Sequence, residues 1–538
     1  MSETIRVPAG GVTPVSKRVM NLANFLDQAR RRYPDAPALV MGGDGLSWRE
    51  LDQRVSALAL ALRAQGLTKG DRLLVHSRNG FEMVETQLAA FRLGAVWAPA
   101  NFRISPDESQ WLAELTEAKV LIIGAEFEHH YQAIRDISEN LSFTVRIGDA
   151  AFGDAVYEDF LREYEGQTCV NVDVEHDDPC WFFFTSGTTG KSKAAVLTHG
   201  QMGFITTNHL CDLMPGTDQA TDASLVVAPL SHGSGIHYLT QLARGVKTVL
   251  PASSGFDADE IWGLVETHRI TNLFTVPTIV KMLVEDPASE RHDHSSLRYI
   301  IYAGAPMYRA DQKRALERLG KVLVQYYGLG EVTGNITVLP PRLHSADDDG
   351  DFKVGTCGYD RTAMQVSVQD DEGQELPPHA TGEICVCGLG VFAGYYANPD
   401  ANAKSFRNGW FRTGDLGHLD DEGFLYITGR ASDMFISGGS NIYPREIEEK
   451  MLTHPEIREV AIVGMPDERW GEIGVAAVVP IEGRQLDAEA LQAWVKERVS
   501  GYKVPRRYHF FETLPKSNYG KITKKIIRQA IEEREARP

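Results

Sequence analysis

Residues 182–193 read Phe-Phe-Phe-Thr-Ser-Gly-Thr-Thr-Gly-Lys-Ser-Lys. The three aromatic residues predict a buried strand, and the loop that follows consists of hydroxyl residues, glycines and lysines. Glycines allow neighbouring backbone N–H groups to point inward together, hydroxyls add hydrogen-bond donors, and Lys191 and Lys193 add positive charge. The segment therefore predicts a cradle for phosphate oxygens rather than a flexible surface turn.

A P-loop is the alternative interpretation of this segment. Gly190-Lys191-Ser192 matches the end of the pattern G-x-x-x-x-G-K-[ST], but Thr185 stands where the first glycine should be. No capped amphipathic helix is evident directly after the lysines. We therefore expect a phosphate loop of a different kind.

Short apolar runs alternate with helical lengths on both sides of the loop. Ser47-Trp-Arg-Glu50 has the form of a capping box, and the apolar spacing over 51–62 predicts the helix behind it. Strand-like runs follow at 73–75, 120–123, 225–228 and 322–324. This alternation predicts an α/β fold with layered, largely parallel sheets, in which ligands bind beyond the carboxyl ends of strands.

A shorter βα pattern begins afresh near residue 430. Residues 446–451 and 487–499 read as helices, and residues 460–463 and 475–479 read as strands. About 105 residues are enough for a small unit with its own core. We therefore expect a large N-terminal domain over residues 1–430 and a small α+β C-terminal domain over residues 431–538.

Composition and charge limit the classes of partner. The chain has 538 residues, of which 55 are Lys or Arg and 73 are Asp or Glu, so the net charge is −18. That balance argues against nucleic acid or an anionic membrane as the main partner. Six cysteines, no apolar signal segment and no run of 18 apolar residues point to a reducing cytoplasm and predict no transmembrane segment. A homodimer is compatible with the sequence.

Further segments follow the phosphate loop in a specific order. They are Pro229-Leu-Ser-His232, Gly304-Ala-Pro306, Tyr327-Gly-Leu-Gly-Glu331, Trp410-Phe-Arg-Thr-Gly-Asp415, Gly429-Arg430, Gly438-Gly-Ser-Asn-Ile-Tyr-Pro444 and Gly520-Lys521. Together they resemble the adenylate-forming superfamily, which includes acyl-CoA synthetases, the adenylation domains of peptide synthetases and beetle luciferases. The resemblance implies that ATP and Mg²⁺ activate a carboxylic acid as an acyl-adenylate, from which the acyl group passes to a thiol.

The resemblance also implies a role for each matching residue. Glu331 would bind Mg²⁺, Asp415 would accept both ribose hydroxyls, and Arg430 would reach the ribose or a phosphate. Tyr327, followed by Gly328, would stack on adenine opposite the backbone of Gly304, Ala305 and Pro306. Lys521 would bridge the attacking carboxylate and the α-phosphate. The residues that would hold the phosphates are Thr185, Ser186, Gly187, Thr188, Thr189, Gly190 and Lys191.

Two positions depart from the superfamily pattern. The hinge position before the C-terminal domain, usually Asp or Lys, is Ser432, and Asp433 follows it. Gly330 replaces a threonine that is expected to donate a hydrogen bond to the α-phosphate, and such a bond is worth about 1.5–3 kcal/mol. Thr333 is a candidate substitute donor.

The C-terminal unit contains Gly464-Met-Pro-Asp-Glu-Arg-Trp-Gly-Glu472 and Gly501-Tyr-Lys-Val-Pro505, and in these segments it resembles the coenzyme A ligases. Gly438 and Gly439 would let the pantetheine arm pass, Trp470 and Lys503 would contact coenzyme A, and His232 would gate the thiol tunnel. Small residues imply room for a bulky medium- or long-chain, aryl or cyclic acid; they are Gly233, Ser234, Gly235, Gly330 and Gly334. Two alternatives stay open: transfer to a carrier protein, an amine or another nitrogen nucleophile, and a non-catalytic nucleotide-binding protein.

Overall fold

Helices and strands alternate along the chain. The computed structural model describes residues 17, 19–135, 137–185, 191–348, 353–438, 440–516 and 522–536. Its α-helices are α1 (Asn24–Arg32), α2 (Trp48–Ala64), α3 (Phe81–Leu93), α4 (Pro106–Thr116), α5 (Glu128–Arg135), α6 (Tyr157–Arg162), α7 (His199–Asp212), α8 (Gly233–Arg244), α9 (Ala258–His268), α10 (Pro277–Glu285), α11 (Ala288–Arg291), α12 (Arg309–Leu319), α13 (Pro399–Ser405), α14 (Pro444–Met451), α15 (Ala488–Lys496) and α16 (Lys524–Glu535).

The strands fall into four sheets. In chain order they are β1 (Pro37–Met41), β2 (Asp44–Ser47), β3 (Arg72–His76), β4 (Val96–Ala100), β5 (Val120–Gly124), β6 (Phe143–Ile147), β7 (Ala155–Val156), β8 (Pro179–Thr185), β9 (Lys193–Thr198), β10 (Ala223–Val226), β11 (Lys247–Leu250), β12 (Asn272–Thr275), β13 (Tyr299–Tyr302), β14 (Leu323–Tyr327), β15 (Thr337–Leu339), β16 (Tyr359–Asp360), β17 (Met364–Gln369), β18 (Gly382–Gly388), β19 (Phe406–Arg407), β20 (Trp410–Leu419), β21 (Leu425–Arg430), β22 (Phe435–Ser437), β23 (Ser440–Ile442), β24 (Ile457–Asp467), β25 (Gly471–Pro480) and β26 (Arg507–Phe510).

Two mainly parallel sheets make up most of the N-terminal part. One has the order β7-β6-β5-β3-β4-β8-β9, and only its edge strand β9 is antiparallel. The other has the order β16-β15-β14-β13-β12-β10-β11-β1-β2, with antiparallel strands at both ends. The predicted α/β fold with layered parallel sheets is confirmed.

The predicted capping box at the start of α2 is present. The backbone N–H of Glu50 donates to Ser47 Oγ at 3.2 Å, and Glu50 Oε2 accepts from the Ser47 N–H at 2.7 Å. Each side chain thus satisfies one backbone donor of the first turn. Leu51, Val55 and Leu58 then follow on the buried face of the helix, which packs against α3.

A third, antiparallel sheet has the order β17-β18-β20-β19, with β21 paired to β20. The hairpin of β20 and β21 sets Asp415 opposite Arg430. A turn at Asp421 and Glu422 leads into β21. The hairpin therefore brings two predicted site residues to one place.

The last sheet belongs to the small C-terminal part and has the order β23-β22-β25-β24, with β26 beside β25. Alternate residues of β24 enter two different apolar clusters: Val460 and Ile462 enter one, and Ala461 and Val463 the other. The sheet is thus buried on both faces, and the prediction of a small α+β unit is confirmed. The exact boundary at residue 430 stays a prediction.

Within the described residues, no helix is both long enough and apolar enough to cross a bilayer.

A buried ion pair joins α2, α3 and α6 and gives a test of the fold. Arg54 contacts two carboxylates: Glu85, whose side chain has no solvent exposure, and Glu158, whose side chain is 57% exposed. Glu85 also accepts from the Tyr157 hydroxyl at 2.7 Å. We expect Glu85→Gln to lower the free energy of unfolding by about 3 kcal/mol or more, because it leaves Arg54 without its buried partner.

Glu158→Gln is the matched control, since it removes a carboxylate from the same arginine at the surface. Its expected cost is at most about 1 kcal/mol. Denaturant unfolding of both variants measures the difference. Equal losses would contradict the assignment of Glu85 as the dominant partner.

Candidate active site

The carboxyl ends of β13 and β14 lie side by side, because the two strands are parallel and paired from Ile300 to Tyr302. Gly304, Ala305 and Pro306 follow β13 and are exposed, while Tyr327 ends β14. Gly304 has a φ of +82°, a conformation that residues with a side chain rarely adopt. The predicted adenine-binding segments therefore lie next to each other at the carboxyl ends of these strands, where open α/β sheets bind ligands.

The predicted phosphate loop connects two antiparallel strands. Thr185 at the end of β8 pairs with Lys193 at the start of β9, so the loop leaves and re-enters the sheet at one point. A P-loop instead leads from a strand into a helix, so the rejection of that alternative is confirmed. Lys191 lies 4.0 Å from the ring centroid of Trp111, whose indole N–H donates to the Ser192 carbonyl at 2.9 Å.

Glu331 is a buried carboxylate held by two hydroxyl donors. It lies in a 3-10 helix, Gly330–Val332, directly after β14, and it is 6% exposed. Thr185 donates to its Oε1 at 3.1 Å, and Tyr395 donates to the same oxygen at 2.8 Å. Oε2 is engaged by neither donor. The arrangement orients one carboxylate oxygen and leaves the other for a further ligand.

Tyr327, Asp415 and Arg430 form a second polar group beside the first. The Tyr327 hydroxyl donates to Asp415 Oδ2 at 2.6 Å, and Arg430 Nε lies 3.2 Å from Asp415 Oδ1. Asp415 is buried, whereas the Arg430 side chain is 61% exposed. The predicted ribose acceptor is therefore held from both sides, by a neutral donor and by a cation.

Burial governs protonation in this group. Burial raises the pKa of the Asp415 carboxyl, and the positive charge of Arg430 opposes part of that rise. Burial and the negative charge of Asp415 together raise the pKa of the Tyr327 phenol well above its ordinary value. Tyr327 is therefore a hydrogen-bond donor at neutral pH, and Asp415 is an ionised acceptor above its own raised pKa.

The predicted open space beside the small residues is filled by aromatic rings, so that interpretation was wrong. A Cβ placed on Gly330 would lie 2.6 Å from the Phe183 ring, and one on Gly233 would lie 2.5 Å from the Phe274 ring. Tyr326 occupies the corresponding position beside Gly334, and Trp181 lies 2.8 Å from the place of a Gly235 Cβ. These glycines allow rings to pack closely and do not themselves enlarge a pocket.

The structure also decides against Thr333 as a substitute donor. Its hydroxyl donates to the Val332 carbonyl at 2.7 Å, and the residue is 1% exposed. Phe183 occupies the space next to Gly330 instead, and its ring centroid lies 5.0 Å from that of His232. His232, the predicted gate residue, lies at the N-terminus of α8. Phe183 is therefore a neighbour of both His232 and Gly330.

In the C-terminal part, Trp470 covers the turn after β22. The Gly438 N–H donates to the Trp470 carbonyl at 2.9 Å, and a Cβ on Gly438 would lie 2.9 Å from the indole. Arg469 and Arg506 lie 5.1 Å and 5.7 Å from the indole centroid. The Lys503 ammonium is held at 2.7 Å by both oxygens of Glu446. Trp470 is thus an exposed platform between two arginines.

Several predicted residues lie outside the described part of the chain; they are Ser186, Gly187, Thr188, Thr189, Gly190, Gly439 and Lys521. Ser432 is exposed, and its hydroxyl lies 3.4 Å from Asp433 Oδ1. Phe183 and Tyr395 were missed from the sequence. The alternation of β8 places Phe183 on the same face as Thr185 and could have indicated it, whereas Tyr395 is 64 residues from Glu331 and carries no such signal.

The strands that flank the predicted phosphate loop lie beside the buried Glu331, and the predicted ribose acceptor Asp415 contacts Tyr327, as the resemblance to adenylate-forming enzymes implies. Residues 26–396 match the AMP-binding enzyme family, and residues 446–521 match the AMP-binding enzyme C-terminal domain. The chain therefore belongs to this family, and the prediction of an acid–thiol ligase of the adenylate-forming superfamily is confirmed.

Similar proteins include ligases and an amide synthetase. The chain is 35% identical over 515 residues to a feruloyl-CoA synthase from Amycolatopsis sp, with 95% of this chain and 99% of the relative covered. It is 34% identical over 513 residues to an indoleacetate–CoA ligase from Aromatoleum aromaticum, with 95% and 98% covered. The amide bond synthetase McbA from Marinactinospora thermotolerans has a similar structure, with a TM-score of 0.84, 26% identity, and 95% and 99% covered.

Tyr395→Phe tests the hydrogen bond to Glu331. We expect a loss of about 1.5–3 kcal/mol in the free energy of unfolding, because a charged, buried acceptor loses one of two donors. Tyr396→Phe is the neighbouring control: that hydroxyl donates to Glu117, whose side chain is 54% exposed, at 3.1 Å. Chemical denaturation compares the two, and similar small losses would mean that Tyr395 does not hold Glu331.

Arg430→Gln tests the electrostatics of Asp415. Burial raises the pKa of Asp415 above its ordinary 3.8, and Arg430 favours the ionised form, so removing the cation raises the pKa of Asp415 further. In ¹³C NMR of protein labelled at aspartate carboxyls, with Asp415→Asn as the assignment blank, the Asp415 midpoint is expected at higher pH in Arg430→Gln. Arg430→Lys keeps the charge and should titrate closer to the wild type. An unchanged midpoint in Arg430→Gln would contradict the coupling.

Proposed function

We propose that this protein activates a carboxylic acid with ATP and transfers the acyl group to coenzyme A, releasing AMP. The observation that carries the proposal is the meeting of two polar groups at the ends of β8 and β14. Thr185 and Tyr395 orient Glu331 there, and Tyr327 and Arg430 hold Asp415. Membership of the AMP-binding enzyme family supports the same reaction.

The nucleotide would lie across the carboxyl ends of β13 and β14. Tyr327, with Gly328, and the backbone of Gly304–Pro306 would enclose adenine, and the ionised Asp415 would accept both ribose hydroxyls. Arg430, exposed beside Asp415, would reach the ribose or a phosphate. The loop from Thr185 to Lys191, with its hydroxyls, glycines and lysine, would hold the β- and γ-phosphates.

Glu331 fits the Mg²⁺ that this reaction requires. Carboxylate oxygens are the ligands that Mg²⁺ prefers, and the two hydroxyls that hold Oε1 leave Oε2 for a cation. When bound, Mg²⁺ offsets the negative charge of the triphosphate. The contribution of the protein is to fix the carboxylate in a buried position.

The chemistry proceeds in two displacements. The substrate carboxylate attacks the α-phosphorus of ATP, the bond to the bridging oxygen breaks, and pyrophosphate leaves. The thiolate of coenzyme A then attacks the acyl carbon, and AMP leaves as a far better leaving group than an oxide ion. Lys521 would place its positive charge between the substrate carboxylate and the α-phosphate in the first step only.

The two steps would use different parts of the C-terminal domain. We place the domains at residues 1–430 and 431–538, with Ser432 as the hinge, exposed directly after the Asp415–Arg430 pair. A rotation there would present Lys521 for the first step and the Gly438–Gly439 turn for the second.

Coenzyme A is the acceptor that the C-terminal surface fits best. Trp470 offers an exposed ring for a nucleobase, and Arg469 and Arg506 beside it offer charge for phosphates. Lys503 adds a cation at the same end, although Glu446 neutralises it. A nitrogen nucleophile is the second candidate acceptor, because an amide bond synthetase shares the fold.

Exchange of labelled pyrophosphate into ATP tests the first step across a panel of aromatic, cyclic and aliphatic acids. We expect acid-dependent exchange without coenzyme A, and AMP release with thioester formation when coenzyme A is added. Lys521→Ala is expected to lose exchange by at least about 100-fold and to keep thioester formation from a synthetic acyl-adenylate.

Lys525→Ala, in the first turn of α16, is the control and should leave both half-reactions unchanged. Exchange without any transfer to coenzyme A, but with transfer to an amine, would favour the second acceptor. No exchange with any acid would reject the proposed function, and equal loss of both half-reactions in Lys521→Ala would reject the assignment of that lysine.

A further inference from the structure

Glu448 and Lys524 form an ion pair that joins α14 to the first turn of α16. The Glu448 side chain is 9% exposed, and the Lys524 side chain is 20% exposed. The oxygen that meets the lysine, Oε1, also accepts from the Ile462 N–H in β24 at 2.6 Å. One buried carboxylate therefore holds the start of a helix and a strand together.

The ion pair connects the two faces of the C-terminal sheet. Helix α14 packs into the apolar cluster that contains Ile462, whereas α16 packs into the cluster that contains Val463. Successive residues of a strand point to opposite faces, so α14 and α16 lie on opposite sides of β24. The contact between Glu448 and Lys524 therefore passes around β24, which is the outer strand of this sheet in the described chain.

The first turn of α16 is an unfavourable place for a lysine. The N-terminus of a helix carries partial positive charge, and the described α16 has neither an acidic residue in its first turn nor a side-chain cap from Thr523. Lys524 and Lys525 both lie in that turn. Glu448 supplies to Lys524 the negative charge that the helix itself lacks, so the pair fixes where α16 begins.

The anchored helix start is close in sequence to the lysine proposed for the first step. Lys521 stands three residues before Lys524, and three residues of extended chain span at most about 11 Å. On the other side of Lys521, Lys516 lies 3.8 Å from Glu459 of β24, but these two side chains are 41% and 26% exposed. The more buried of the two anchors is therefore the one that follows Lys521.

We propose that the ion pair between Glu448 and Lys524 positions Lys521, so that it is needed for adenylation and not for transfer to the thiol. The inference rests on the proposed function, in which Lys521 acts in the first step only. Glu448 and Lys524 are positioning residues, because they act through Lys521 and not on the substrates. A displacement of about 1 Å at a reacting group can cost about 100-fold in rate, so loss of the anchor slows the first step.

The test measures each half-reaction separately, with the acid that the wild type exchanges fastest. We expect Lys524→Met and Glu448→Gln each to lower kcat for pyrophosphate exchange by about 10- to 100-fold, because Lys521 loses its anchored neighbour. Thioester formation from the synthetic acyl-adenylate should stay within about twofold of the wild type, because Lys521 takes no part in that step.

Each variant has a matched control on the same helix. Lys525→Met removes the neighbouring, exposed lysine, and Glu449→Gln removes a carboxylate that is 49% exposed and paired with Arg445. Both controls should leave the two half-reactions unchanged. Lys524→Arg keeps a cation for Glu448 and should recover most of the exchange that Lys524→Met loses.

The double variant Glu448→Gln/Lys524→Met tests whether the two residues act through one contact. It should lose no more exchange than the stronger single variant, because both changes remove the same ion pair. Losses that multiply would overturn the inference, since they would mean that the two residues act independently.

The remaining outcomes separate this inference from the proposed function. Equal loss of both half-reactions would mean that the pair only stabilises the C-terminal domain, and unchanged exchange in both single variants would mean that it positions nothing; either result overturns the inference while the proposed function stands. If Lys521→Ala keeps wild-type exchange, the inference fails with the assignment of that lysine. If no acid supports exchange in the wild type, the proposed function itself fails. Should Glu448→Gln not fold, Lys524→Met and Lys524→Arg carry the test.

Discussion

The hydrogen bond from Thr185 to Glu331 joins the two large sheets at the carboxyl ends of β8 and β14. Thr185 ends β8 of the seven-stranded sheet, and Glu331 follows β14 of the nine-stranded sheet. A buried carboxylate needs hydrogen-bond donors, so separating the two edges would take one of its two hydroxyl donors from Glu331. The end of β8 at Thr185 and the segment after β14 that carries Glu331 are therefore held next to each other.

The third sheet and the segment before it add further buried hydrogen bonds to the site. Tyr395, from the segment between β18 and β20, adds the second donor to Glu331, and Asp415 on β20 accepts from Tyr327. The Tyr327–Asp415 contact thus crosses from one sheet to another, and the Tyr395–Glu331 contact joins two segments that are distant in the sequence. Because buried polar groups inside a low-dielectric interior are costly when unpaired and strong when paired, these crossings both position the chemistry and hold the sheets together.

Local pattern was sufficient to predict layered parallel sheets and the capping box of α2, but not the separate antiparallel sheet of β17 to β21. It was insufficient for contacts between distant segments. Tyr395 and Glu331 are 64 residues apart, and nothing in either segment points to the other. The glycines show the same limit: Gly233 and Gly330 were read as open space, but only the fold reveals that Phe274 and Phe183 occupy it. A glycine can indicate that another group packs closely against the backbone, but only the tertiary structure shows which group that is.

The chain has a net charge of −18, but the proposed substrates are also anionic. The positions of individual charged side chains explain how it could bind them. Glu331 accepts from two neutral hydroxyl groups, and Asp415 accepts from Tyr327 and pairs with Arg430, while the side chains of Lys191 and Arg430 are exposed. Under the proposed function, these exposed cations would meet the triphosphate, and the buried acids would bind the metal ion and the ribose.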